Sequence, residues 1–138
     1  MMCTMAGESQ HLSVVIERPA AAVYAFAAEP ANLPRWAAGL ATATVEQVDG
    51  QWVAESPMGR VTVSFVARNA WGVLDHVVTL PSGDSVYNPL RVIPYGDASE
   101  VVFTLRRQPG MTDEQFRADA DAVRADLGSL KRLLETAG

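Results

Sequence analysis

The sequence is poor in the residues that most often carry metals, disulfides or nucleophilic catalysis. It has one cysteine, Cys3, and two histidines, His11 and His76, which lie far apart in the chain. A lone cysteine cannot form an internal disulfide, and isolated histidines do not make a metal-binding spacing. A serine nucleophile elbow, a glycine-rich phosphate loop and a dinucleotide fingerprint are also absent from the sequence. We therefore expect neither a metal nor a cofactor.

Long hydrophobic runs and an excess of positive charge are missing too. The longest apolar run, Ala20 to Ala28, falls well short of the roughly 20 residues that a membrane span requires. The N-terminus lacks the basic region and apolar block of a secretory signal. The formal net charge is −5, with no basic stripe for phosphate contacts. These absences predict a cytoplasmic protein without a membrane span or a nucleic-acid partner.

What remains is the composition of a compact domain. The chain has 138 residues, of which 49% are hydrophobic and 20% are charged. This length is typical of one domain that can bury a core. Residues 1–9 are small or polar without periodicity, which predicts a loose N-terminal tail, and residues 10–138 are predicted to form a single domain.

The N-terminal part of this domain is predicted to contain one strand followed by two short helices. The β-branched segment His11 to Glu17 predicts a strand, and Pro19 begins a helix that continues through Ala28. Asn32 is placed to cap a second short helix that contains Trp36.

From residue 42 to residue 107 the hydrophobic period changes to two. The predicted strands are Thr42–Val48, Trp52–Glu55, Arg60–Asn69, Gly72–Leu80, Ser85–Pro94 and Glu100–Arg107. Short connections rich in glycine, proline and aspartate separate them, and connections this short join antiparallel neighbours.

The last segment predicts a long amphipathic helix from Asp113 to Thr136. Thr112 and Gln115 have the spacing of a capping box, and Met111 and Phe116 that of a hydrophobic staple. The apolar stripe of this helix consists of Phe116, Ala120, Val123, Leu127, Leu130 and Leu134. Such a stripe must be buried, and the only large apolar surface available is a face of the sheet. We therefore predict an α+β fold in which a curved antiparallel sheet of about seven strands surrounds the C-terminal helix and leaves an apolar pocket.

Four stretches carry a resemblance to a known family. They are Val14 to Tyr24, with its strand followed by P-x-x-x-V-aromatic, Pro30 to Trp36, Trp71 to His76 and Asn88 to Pro94. Together they resemble the START-like (SRPBCC) superfamily, and the last two resemble its bacterial polyketide cyclase/dehydrase-like subgroup. The resemblance implies the helix-grip fold. It assigns no residue a role, because this superfamily hosts binders, transfer proteins and enzymes without a universal catalytic motif.

Asp75, His76 and Arg91 are the main polar candidates for a site. If the hairpin places Thr79 opposite Tyr87, Asp75 lies directly opposite Arg91 and His76 points to the other sheet face. In the functional hypothesis His76 lies in the pocket as a hydrogen-bond donor or general acid/base, and Asp75 or Arg91 helps to orient a ligand. The alternative, which we favour, is a buried structural histidine beside a structural ion pair.

Aromatic side chains complete the candidate site. Trp52, Phe65 and Phe103 lie on central predicted strands, where they either line the pocket or pack only within the core. Trp71 lies at a turn, where it would close the pocket mouth or contact a partner.

Three functions fit these features. The first is binding of an apolar small molecule, aromatic, polyketide-like or lipid-like, between the sheet and the C-terminal helix. An alternative is a polyketide cyclase/dehydrase-type enzyme in which His76 transfers a proton. A second alternative is a homodimeric interaction module with a collapsed pocket, which pairs through its outer sheet face. The sequence leaves open whether any reaction is catalysed.

Overall fold

The computed structural model describes residues 7–38, 41 and 45–136. Within them the chain forms an α+β fold with eight strands, three α-helices and one 3₁₀ turn. In chain order these are β1 (Ser9–Ile16), α1 (Ala20–Ala27), the 3₁₀ turn (Pro30–Asn32), α2 (Leu33–Trp36), β2 (Glu46–Val48), β3 (Gln51–Ser56), β4 (Gly59–Phe65), β5 (His76–Thr79), β6 (Ser85–Asn88), β7 (Leu90–Tyr95), β8 (Ala98–Arg106) and α3 (Asp113–Thr136). None of these helices is long and apolar enough to cross a bilayer.

All strand pairs are antiparallel, and the strands form two groups. The first has the order β1-β8-β7, and the second has the order β2-β3-β4-β5-β6. The segment before β5 connects the groups, because Val73 bridges Arg91 and the Leu74 amide donates to the Leu90 carbonyl at 2.8 Å. The result is one curved surface whose inner face carries most of the buried apolar side chains.

Several predicted strands are longer than the observed ones. The predicted strand Ser85–Pro94 is divided into β6 and β7 at Pro89, which has no N–H to donate to a ladder. The predicted Gly72–Leu80 is regular only from His76 to Thr79, and the predicted Arg60–Asn69 ends at Phe65.

Gly72 has a φ of 75°, and a Cβ there would lie 2.2 Å from the Val92 carbonyl oxygen. Only glycine therefore fits this close approach. Of the predicted strand Thr42–Val48, residues 42–44 lie outside the described residues.

The register of the central hairpin differs from the predicted one by two residues. Thr79 pairs with Ser85, and Val73 lies opposite Arg91. The expectation that Asp75 lies directly opposite Arg91 is therefore wrong. A shift of two residues keeps every side chain on its predicted face, so Arg91 still reaches Asp75 from a diagonal position.

The first strand begins nearer the N-terminus than the predicted tail suggests. Strand β1 begins at Ser9, two residues before the predicted strand and inside the predicted tail. Ahead of it, the carbonyl of Glu8 accepts a hydrogen bond from the Arg107 amide at 2.8 Å. Residues 1–6 of that predicted tail lie outside the described part of the chain.

The cap of the second helical segment is supplied by Glu29 rather than Asn32. Oε1 of Glu29 accepts from the Ala31 amide at 3.3 Å at the start of the 3₁₀ turn. The Asn32 side chain instead donates back to the Phe26 carbonyl at 3.0 Å, which links the turn to α1.

Helix α3 has the predicted bounds and the predicted cap. The Gln115 amide donates to Oγ1 of Thr112 at 3.1 Å, and the Thr112 amide donates to Oε1 of Gln115 at 2.9 Å. Five residues of the predicted stripe are buried, namely Phe116, Ala120, Leu127, Leu130 and Leu134. Val123 is the exception: it is only partly buried, and it lines a cavity between α3 and the sheet.

Candidate functional site

A cavity of about 390 Å³ lies between α2, α3 and the inner face of the sheet. Most of the residues that line it are apolar: Leu33, Trp36, Ala37, Met58, Phe65, Val78, Leu80, Val86, Leu90, Phe103, Leu105, Met111, Ala122, Val123 and Leu127. On the helix side, the short side chains of Ala122 and Val123 leave space that a longer residue would fill. The polar lining residues are His76, Asn88, Arg106, Gln108, Asp119 and Asp126.

His76 is the most deeply buried polar side chain of this cavity. It is 5% exposed, and its ring centre lies 5.0 Å from that of Phe65 and 6.3 Å from that of Phe103. Its Nδ1 lies 3.0 Å from the carbonyl oxygen of Leu74. Because a carbonyl can only accept, Nδ1 carries the hydrogen in this bond.

The other ring nitrogen of His76 is available to a ligand. Burial lowers the pKa of His76 below its ordinary 6.5, although the Leu74 carbonyl and the Asp75 charge oppose this shift. The ring is therefore neutral at pH 7, and Nε2 holds a lone pair. No side chain or backbone group in the described part of the chain hydrogen-bonds Nε2, and His76 lines the cavity.

Trp36 contributes an unpaired donor near the same cavity. Its side chain is 6% exposed and lines the cavity, but among the described residues Nε1 has no hydrogen-bond partner. An unpaired buried N–H costs about 1–3 kcal/mol. Sequence reasoning placed Trp36 only in a short helix and at the end of the Pro30 to Trp36 stretch, and it did not predict this unpaired donor.

The Asp75–Arg91 pair lies outside the cavity lining. The Asp75 carboxylate, only 2% exposed, accepts from Nε and Nη2 of Arg91 at 2.8 and 2.7 Å. It also accepts from the Leu90 amide at 2.9 Å and the Tyr87 hydroxyl at 2.5 Å. The Arg91 guanidinium holds the pKa of Asp75 well below its usual range. This geometry fits the structural ion pair of the sequence analysis.

The four predicted aromatic residues occupy three different environments. Phe65 and Phe103 line the cavity. Trp52 lies instead in a second, more polar cavity of about 370 Å³, which Phe65 also borders. That second cavity lies beneath the segment 28–30 and is flanked by Arg68. Trp71 is 80% exposed and lines neither cavity, so it does not close a mouth.

Polar residues are concentrated on the side of the cavity formed by the end of β8 and by α3. Arg106, Gln108 and Asp119 are all partly or fully accessible there, and Met58 of the β3–β4 turn is 53% exposed. Burial raises the pKa of Asp119. The interior is thus apolar with one histidine, while the accessible rim carries charges of both signs.

Sequence reasoning missed several lining residues. Val123 was predicted only as part of the helix stripe, Asn88 only as part of a strand and of one resemblance stretch, and Leu33 was not singled out. Their inward position depends on how α2, α3 and β6 are placed around the cavity, which no local pattern encodes.

Comparison with known proteins agrees with this architecture. The family model described as "Polyketide cyclase / dehydrase and lipid transport" matches residues 9–135. XoxI from Bacillus cereus superimposes with a TM-score of 0.74 at 13% identity, covering 97% of this chain and 99% of XoxI. A START superfamily protein from Mycobacterium smegmatis gives a TM-score of 0.69 at 13% identity, covering 96% of this chain and all of the other.

A third similar structure is BexL, a di-domain ARO/CYC from the BE-7585A biosynthetic pathway. It gives a TM-score of 0.70 at 20% identity and covers 93% of this chain but 46% of BexL. At these identities the likeness establishes the fold alone. No curated protein matches the sequence. Because the family model covers nearly the whole chain, the protein belongs to the polyketide cyclase/dehydrase and lipid transport family and has the START-like fold.

Proposed function

We propose that this protein binds a compact, mostly apolar small molecule in the cavity between α3 and the sheet. The observation that carries the proposal is a cavity of about 390 Å³, bounded mainly by apolar side chains, containing one buried histidine and open to solvent at its polar rim. Small-molecule sites typically have about 300–1,000 Å³ and few polar groups. The family's description, which names lipid transport, supports the same class of function.

The volume favours a ligand of about two or three rings. An engineered apolar cavity of about 150 Å³ accepts benzene, and the cavity here is about 390 Å³. A two-ring aromatic system of tryptophan size buries about 250 Å². At about 25 cal/mol per Å², this burial contributes about 6 kcal/mol before the ordering costs of association.

Tryptophan fluorescence provides a direct test. Trp36 lines the cavity, whereas Trp52 borders the second cavity and Trp71 is exposed. In the double variant Trp52→Phe/Trp71→Phe, titration with naphthalene should change the emission of Trp36 in a saturable way. In the matched double variant Trp36→Phe/Trp71→Phe, the emission of Trp52 should change little. Absence of saturable naphthalene binding, checked by calorimetry on the unmodified protein, would overturn the proposal.

A second candidate function is a cyclase/dehydrase-type enzyme. It is favoured by the neutral imidazole of His76, whose Nε2 lone pair lies in an apolar site suited to accepting a proton. In such a reaction the cavity would hold the substrate folded while His76 removes a proton from the carbon next to a carbonyl. In an aldol step that proton is returned to the new alkoxide oxygen, and in a dehydration it leaves with the departing hydroxide as water. His76→Gln should then abolish turnover of a polyketide-like substrate while leaving its binding within about tenfold.

The homodimer hypothesis requires revision. Its collapsed pocket is wrong, because a cavity is present. Exposed apolar side chains of Trp71, Ile93 and Tyr95 still supply a reason to propose self-association through the outer sheet face. Light scattering at micromolar concentration tests it, and a monomer with an intact cavity would leave only the binding functions.

A further inference from the structure

The hydrogen on Nδ1 of His76 restricts the polar group that a ligand can present to this residue. Nδ1 donates to the Leu74 carbonyl at 3.0 Å, and this bond remains whether or not the ring is protonated. In the neutral ring, Nε2 has a lone pair and no hydrogen. His76 is therefore an acceptor toward the cavity. Of the roles that the sequence suggested, this agrees with the general base and differs from the hydrogen-bond donor.

Groups that only accept hydrogen bonds are disfavoured beside this nitrogen. A ketone, ether or carboxylate oxygen would bring its own lone pairs toward that of Nε2. Protonation of His76 would relieve the conflict, but the ring is 5% exposed and the Asp75 carboxylate, whose charge acts on it, is already bonded to Arg91. A protonated His76 would be a buried cation without a free carboxylate partner, and burying such a charge is unfavourable in free energy.

The cavity offers a carboxylate no better position near His76. Among the residues that line it in the described part of the chain, the only Lys or Arg is Arg106, which is exposed. Asp119 and Asp126 line the same cavity and add negative charge. An acidic ligand would therefore place its carboxylate near Arg106 rather than beside His76.

The aromatic rings that surround His76 favour a flat, aromatic group in the part of the ligand that contacts this histidine. Phe65 lies against the imidazole with an angle of 34° between the ring planes, and Phe103 meets it nearly edge-on at 61°. Aromatic pairs of this kind gain about 0.5–1.5 kcal/mol beyond the area that they bury. A hydroxyl on an aromatic edge would combine ring contacts with a hydrogen bond to Nε2.

We infer that the ligand is an aromatic alcohol of two or three rings, whose hydroxyl donates to Nε2 of His76. This inference rests on the proposed binding function and adds the polar group that the site selects. A net hydrogen bond in such a site changes the dissociation constant roughly three- to tenfold.

Three matched probes test the inference: naphthalene, 2-naphthol and 2-methoxynaphthalene, titrated by calorimetry. Wild-type protein should bind 2-naphthol roughly three- to tenfold more tightly than 2-methoxynaphthalene. In His76→Phe that preference should disappear, because phenylalanine offers no acceptor nitrogen. Equal binding of the two oxygenated probes to wild type, or an unchanged preference in His76→Phe, would overturn the inference.

The same probes separate this inference from the proposed function. If none of them binds, the proposed function fails. If naphthalene binds but the hydroxyl brings no preference, only the inference about the alcohol fails.

The ¹⁵N signal of His76 Nε2 in the unmodified protein provides a second measurement, which does not depend on a variant that folds. That signal should move toward the hydrogen-bonded range with 2-naphthol and not with 2-methoxynaphthalene. A signal that responds equally to both, or to neither, contradicts the inference.

Discussion

The Nδ1 nitrogen of His76 lies 3.0 Å from the carbonyl oxygen of Leu74, a residue only two positions earlier in the chain. A local bond of this kind orients the ring without help from a distant element. It also assigns the only N–H of the neutral ring to the side away from a ligand. The acceptor character of His76 toward the cavity is therefore a property of the segment 74–76 itself.

Burial of this histidine makes stability depend on pH. The pKa of His76 in the folded protein lies below its ordinary 6.5, so between these two values the unfolded chain binds a proton that the native chain does not. We expect the free energy of unfolding to fall as pH falls below about 6.5, by up to about 1.4 kcal/mol per pH unit.

Urea unfolding between pH 7.5 and pH 5 measures this dependence, and His76→Phe should remove its contribution. A variant with the same pH slope as the wild type would show that His76 is not the group responsible.

The Asp75 carboxylate should be among the most sensitive polar groups for stability. Its two oxygens accept four hydrogen bonds, two of them from Arg91, and the side chain is buried. Asp75→Asn removes the charge and replaces one acceptor oxygen by a donor. We expect a loss of about 3 kcal/mol in urea unfolding at pH 7.

Arg91→Lys is the matched control, because lysine keeps the charge but cannot bond both oxygens in parallel. Since the Arg91 side chain is 49% exposed, we expect a smaller loss of about 1 kcal/mol. An equal loss in the two variants would contradict the central role of the carboxylate.

The sequence predicted those features that are encoded within a few neighbouring residues and missed those that depend on contacts between distant segments. Helix α3 was predicted with its bounds because the Thr112–Gln115 cap and the apolar stripe are encoded within a few residues. For the central hairpin, the sequence predicted which sheet face each side chain occupies, but not which residues pair across the two strands. Pro89 divides the strand, and the pairing of Thr79 with Ser85 depends on the turn between them.

The cavity itself was predicted as a feature, but its lining was predicted only in part. Phe65, Phe103 and His76 lie on strands whose alternation determines the inward face. Trp52 and Trp71 were misplaced because their distance from α3 depends on sheet curvature, which alternation does not specify. Trp36 was missed because its position depends on how α2 packs under α3.

Ser99 offers a stabilising substitution. Its side chain is completely buried, and among the described residues Oγ has no hydrogen-bond partner. Ser99→Ala removes a desolvated hydroxyl with almost no change of shape, so we expect a gain of about 1 kcal/mol. Thermal unfolding measures it, with Ser13→Ala on the exposed face of β1 as the control that should change little. Destabilisation by Ser99→Ala would indicate that the hydroxyl is bonded after all.

Val123 permits a direct test of where an apolar ligand binds. Val123→Phe would place a ring in the cavity from the α3 side, at a position that is only partly buried. Because the cavity can accommodate the added atoms, we expect stability to change by less than about 1 kcal/mol. Naphthalene binding should weaken at least about tenfold, since the two rings would compete for the same space.

Arg117→Phe adds the same ring to the exposed face of α3 and should leave binding unchanged. If Val123→Phe bound naphthalene as the wild type does, the ligand would have to occupy the second cavity beside Trp52 instead. Fluorescence of Trp52 would then respond to the probe, and the acceptor nitrogen of His76 would have no part in recognition.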